Sequence, residues 1–158
     1  MNKRFMLTAA GAAATGIAGS ASAVLVDMEN GLDRWAGEHS WQVVSSGSTV
    51  VASMAGGTYY GLVSGTFSFV SNTSLSSFAG TAYGQMDLAS GTYTVAMQDS
   101  WGDGWAWGSY VGYLAIGSGS GTVSVSTGSF SFTVGGVPAP GALALLGLAG
   151  LAGSRRRK

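Results

Sequence analysis

The sequence predicts an all-β protein: a single antiparallel β-sandwich, jelly-roll-like, between an N-terminal signal peptide and a C-terminal apolar sorting helix. Three observations predict it. Apolar and aromatic residues alternate with Ser and Thr at a period of two, as on a half-buried strand. Short Gly- and Ser-rich joints interrupt these runs. No segment between residues 24 and 136 shows a convincing helical period.

The N-terminal segment, residues 1–23, has the three parts of a secretory signal. Lys3 and Arg4 are basic, an Ala- and Gly-rich apolar run follows, and Ala21-Ser22-Ala23 gives the small-x-small pattern a signal peptidase accepts. Cleavage is expected after Ala23. The expected mature body, residues 24–136, has 113 residues, enough for one core without staples.

The head of the body reads "VLVDMENGLDRWAGEHSWQVV". It holds four of the seven acids, the body's one arginine (Arg34) and the one histidine (His39). Further on, Phe67 and Phe69 flank Ser68. Tyr93, Val95 and Met97 alternate with Thr and Ala, as do Val123 and Val125, and Phe130, Phe132 and Val134, with Ser and Thr. β-Branched and aromatic residues favour strands. Eight or nine short strands are expected, with "SNTSLSSFAG" (71–80) as the long loop.

The strand at 93–97 runs into "DSWGDGWAWG", residues 99–108. Three readings of this loop follow from its residues. In the first it is a glycine turn: Gly102 and Gly104 accept positive φ, and Asp99 and Asp103 accept hydrogen bonds from backbone N–H groups. In the second, Asp99 and Asp103 begin a Ca²⁺ site, which needs six to eight oxygens. An EF-hand is excluded, because its third and twelfth positions would be Trp101 and Tyr110. In the third, Trp101, Trp105 and Trp107 form a platform for a glycan.

The C-terminus reads "VPAPGALALLGLAGLAGSRRRK". An apolar run of 13 residues, 141–153, ends at Arg155, Arg156, Arg157 and Lys158. Counted from Val137 the run approaches the short limit for a membrane span, and the basic cluster would keep that end cytoplasmic. Val137, Pro138, Ala139, Pro140 and Gly141, then the apolar run, then the arginines resemble the PEP-CTERM protein-sorting signal, with Ala139 in place of the usual glutamate. The resemblance implies an exported protein of an exopolysaccharide-making Gram-negative bacterium. The precursor would be tethered transiently to the inner membrane, then cut near the motif by an exosortase-type transpeptidase. Its destination would be the cell surface or the extracellular matrix of a biofilm.

Two further resemblances bear on the body. "GTYTVAMQDSWGDGW" resembles a segment of secreted β-sandwich modules in which Asp-Ser-aromatic-Gly-Asp-Gly-Trp follows a strand. Asp-x-Glu-Asn-Gly-Leu-Asp-x-Trp in the head is similar to the opening of secreted jelly-roll modules, where acids near the first strand hold a structural calcium. That resemblance implies Asp27 and Glu29 as further calcium ligands.

Composition narrows the functional classes. Six of the seven Lys and Arg residues lie in the two tails and all seven acids lie in the body, whose net charge is −6. Such a body does not suit nucleic acid, which needs clustered cations. The absence of cysteine excludes disulfides and thiolate metal sites. Sixteen of the seventeen aromatics fall in the body, which argues for a folded core. No Gly-x-Ser-x-Gly, His-Glu-x-x-His or P-loop pattern occurs. The expectation is a non-catalytic structural or adhesive protein, with calcium as the cation its loop would take. A carbohydrate-binding module addressing exopolysaccharide is the alternative, and a small glycosidase a remoter one.

Overall fold

A computed structural model describes residues 23–74 and 79–135 of the chain. The expected signal peptide up to Ser22 and the sorting tail, residues 137–158, lie outside the described residues. Among the described residues no helix is long and apolar enough to cross a membrane.

The described chain is all-β, as expected. Its strands are β1 (Val24–Leu32), β2 (His39–Ser45), β3 (Val50–Ala55), β4 (Thr58–Tyr60), β5 (Ser68–Ser71), β6 (Gly80–Leu88), β7 (Gly91–Asp99), β8 (Ala106–Trp107), β9 (Tyr110–Val111), β10 (Tyr113–Ile116), β11 (Gly119–Gly121) and β12 (Thr127–Val134). Two five-stranded sheets form, in the orders β11-β10-β1-β6-β5 and β12-β7-β2-β3-β4, and β8 and β9 make a small separate hairpin. Every pairing is antiparallel.

The period of two explains the core. Val26 and Met28 of β1, Ala82, Met86 and Leu88 of β6, and Leu114 and Ile116 of β10 are buried from the first sheet. From the second come Trp41 and Val43, Ala52 and Met54, Tyr93, Val95 and Met97, and Phe132 and Val134. Apart from Ala82, these residues form one cluster, the arrangement of a β-sandwich. Asn30 adds a polar pin between the sheets. From β1 its Oδ1 accepts hydrogen bonds from Trp41 Nε1 (3.1 Å) and from the Tyr59 hydroxyl (3.0 Å), both in the opposite sheet. Its Nδ2 donates to the Tyr113 carbonyl at 2.9 Å. A buried amide is stable there because its donor and acceptor sides are both matched.

One expected strand is absent. Residues 122–126 alternate like a strand but form an irregular segment between β11 and β12. Val123 is buried while Val125 is exposed. The segment's backbone acceptors face the Asp99 loop instead of a ladder: Trp105 N donates to Val123 O and Asp99 N to Ser126 O, both at 2.9 Å. The head also carries a 3-10 turn at Ala36–Glu38, where the sequence shows no helical signal.

Candidate functional site: a carboxylate cluster on the Asp99 loop

Strand alternation delivers Asp99. It continues the inward series Tyr93, Val95, Met97, so its side chain enters the end of the sandwich, 3% exposed. The Oδ1 atom accepts from Trp101 N at 2.8 Å and Gly102 N at 2.6 Å, an Asx-type turn. Gly102 and Gly104 take φ values of +83° and +92°, as the turn reading expects. Gly104 is also needed for space, since a Cβ there would lie 2.6 Å from the Ser124 carbonyl oxygen. The other carboxylate oxygen, Asp99 Oδ2, is buried and has no hydrogen-bond partner.

Two further acids converge on Asp99. Asp103 comes from the same loop. Glu38 comes from the 3-10 turn, held there because β2 and β7 pair in the register that sets His39 opposite Asp99. Ser100 N donates to the Glu38 carbonyl at 3.1 Å and ties the two segments together. One carboxylate oxygen from each of Glu38, Asp99 and Asp103 lies within 4.8 Å of the others. Asp99 is buried, Glu38 half-buried and Asp103 exposed. Partial burial, followed by the negative charges of Asp99, Asp103 and Asp33, raises the pKa of Glu38.

Behind the cluster lies a buried polar pair. His39 Nε2 stands 3.1 Å from Asp33 Oδ1, and both side chains are fully buried. Asp33 Oδ1 also accepts from Trp35 N at 2.8 Å. The imidazole stacks on Trp105, with centroids 4.4 Å apart and planes at 14°.

The three loop tryptophans have different environments. Trp105 is 0% exposed, with His39 on its face and its Nε1 donating to Gln98 O at 3.3 Å, so it presents no platform to a ligand. Trp101 is 80% exposed. Trp107 is partly exposed and meets Trp35 edge-on at 6.0 Å. The head acids Asp27 and Glu29 are not members of the cluster. Asp27 accepts a 2.8 Å hydrogen bond from Gln85 Nε2, and Glu29 accepts one from the Tyr113 hydroxyl. That hydrogen bond, and then burial, push the Tyr113 phenol up to about 12.

The sequence set Asp99 and Asp103 on one loop but did not link Glu38 or Asp33 to them. No local spacing links Glu38 to a loop some sixty residues later; only the β2–β7 register does. Comparison with protein-family models, with curated proteins and with solved structures finds no match to the chain.

Proposed function

We propose that this chain is an exported, non-catalytic module of the cell surface or exopolysaccharide matrix, with a structural or adhesive role. In this reading a divalent cation, Ca²⁺ by the chemistry of its ligands, locks the Asp99 loop. Two observations carry it: Glu38, Asp99 and Asp103 each bring a carboxylate oxygen within 4.8 Å of the others, and Asp99 Oδ2 is buried without a hydrogen-bond partner. An anionic oxygen out of water and without a donor is costly. Three carboxylates facing one point repel until a cation joins them. Hard oxygen donors of this kind suit Ca²⁺, and the exposed side at Asp103 admits the water that would complete its shell. Export and sorting rest on the signal-like N-terminus and the PEP-CTERM-like tail. The repeated passage of the chain from one sheet to the other supports the jelly-roll-like description.

The test is thermal unfolding of the full-length chain in EDTA and then in rising Ca²⁺. A ligand that binds only the folded state adds about 2.7 kcal/mol at a hundredfold excess over Kd. For a domain of this size that is a rise on the order of 10 °C. The rise should vanish in Asp99→Asn and Glu38→Gln. A midpoint indifferent to Ca²⁺ would leave the loop as a glycine turn.

The carbohydrate-binding alternative keeps one supporting observation, the exposure of Trp101 and Trp107 on a single loop. Trp105 does not contribute to it.

A further inference from the structure

A second feature lies on the open side of the sandwich. The edge strands β4 and β5 and the β1–β2 connection enclose a groove of about 820 Å³. Its size falls in the roughly 300–1,000 Å³ range of small-ligand sites. Trp35, Tyr59, Phe67 and Phe69 line it, with Arg34 as its one cation and Glu38 as its one carboxylate. Trp35, Phe67 and Phe69 each leave between 42% and 49% of their surface exposed. Tyr59 and Phe67 pack at 5.1 Å with tilted planes. Large aromatics half-open to solvent and gathered around one groove are unusual on a soluble surface.

Arg34 gives this groove its chemistry. It is the only Lys or Arg between residues 5 and 154. Its guanidinium lies 4.9 Å from the Trp107 ring centroid and 5.3 Å from that of Trp35. Among the described residues the one close ion pair is His39 with Asp33, so no carboxylate engages Arg34, on a body with seven acids. Two indoles thus hold a planar fork of N–H donors whose natural partner, a carboxylate, is missing.

We propose that this groove binds a carboxylated polysaccharide, a chain of uronate-type pyranose rings. Pyranoses offer apolar C–H faces to aromatic rings and hydroxyl edges to water, which fits Trp35, Phe67 and Phe69 along an open groove. A uronate carboxylate pairs with the Arg34 fork. The body's excess negative charge repels anions in general. A ligand that also brings apolar ring faces overcomes that repulsion at this one place. The groove shares Glu38 with the carboxylate cluster, and the Arg34 stack shares Trp107 with the loop reading above, but the aromatic faces and the Arg34 fork do not require a bound cation.

The experiment uses the full-length chain in EDTA, which keeps its outcome independent of the Ca²⁺ reading. Binding is measured by affinity electrophoresis in polygalacturonate and, as the neutral probe, in dextran. The expected result is retardation by polygalacturonate well beyond that by dextran. Arg34→Gln should weaken polygalacturonate binding about tenfold, the loss of one charge-assisted bidentate contact, and leave the weak dextran binding unchanged. Arg34→Lys should recover only part, having the charge without the fork. Phe67→Ser should weaken both. Both positions are exposed, and an unchanged thermal midpoint checks that each variant folds. Replacing Arg155, Arg156 and Arg157 together by Gln tests adventitious binding through the basic tail and should change nothing. Absence of retardation, or retardation lost with the tail arginines and kept in Arg34→Gln, would overturn the proposal. So would a groove already filled by a second copy of the chain, seen as a dimer that polygalacturonate does not dissociate.

Discussion

The imidazole of His39 lies flat on the indole of Trp105, 4.4 Å between centroids. One ring ends the 3-10 turn of the head, and the other closes the Asp99 loop. The stack therefore joins the two segments that supply the carboxylate cluster. Stacked aromatic pairs contribute about 0.5–1.5 kcal/mol beyond the area they bury. A double-mutant cycle between His39→Ala and Trp105→Ala, read by denaturant unfolding, should return a coupling energy of about that size.

Trp105 and Trp101 should separate sharply as single variants. Trp105 is buried, and Trp105→Ala should cost about 3–5 kcal/mol by removing a large core side chain. Trp101→Ala should stay within about 0.5 kcal/mol, as expected for an exposed position. Equilibrium denaturation midpoints check both. Equal effects would contradict the different burial of the two rings.

Among the loop glycines, position 104 should be the least tolerant. Gly104→Ala combines a positive φ with a Cβ 2.6 Å from the Ser124 carbonyl oxygen. Gly108→Ala has a positive φ of 60° but open space around its Cβ. The second should cost about 1–2 kcal/mol from backbone strain alone, and the first distinctly more. Thermal unfolding of the two variants side by side measures the difference.

The contribution of Glu38 should depend on pH in a definite direction. Its pKa in the folded protein is raised above the ordinary 4.5, so folding favours its protonated form. That contribution is fully present below about 4.5 and is lost as pH rises through the raised value. In EDTA, the stability of Glu38→Gln relative to the natural chain should therefore increase from pH 4.5 upward. With Ca²⁺ present the sign should reverse, because the ionised carboxylate then has a cation to bind. Urea unfolding across that pH range, with and without Ca²⁺, provides the measurement.

Asn30 should be among the costliest polar positions. Asn30→Leu would strand the Trp41 indole N–H and the Tyr59 hydroxyl in a buried region. Each buried group left without a partner costs about 1–3 kcal/mol. A loss below about 1 kcal/mol in chemical denaturation would show that water reaches the pin.

How far the sequence carried can be judged from these residues. The inward series of β7, Tyr93, Val95 and Met97, was legible because side-chain alternation is local. The same rule failed at Val123 and Val125, where the backbone carbonyls accept from the Asp99 loop and not from a neighbouring strand. Asp99 and Asp103 were legible as candidate ligands from their loop. Glu38 was not, since register across two sheets' worth of intervening chain brings it in. The three loop tryptophans read alike in sequence; only packing against His39 sets Trp105 apart. Asn30 gave no signal, because its partners come from β2, β4 and β10.

The order of the strands has a consequence for timing. β1 pairs with β6 and β10, so Asn30 meets a partner 83 residues further along. The ladder of the first strand with β6 closes only when the chain reaches residues 80–88, and its ladder with β10 later still. Topologies so rich in distant pairings fold in milliseconds to seconds, slowly for their size. The pairing that completes the sandwich also keeps its first strand waiting for strands from the second half of the chain.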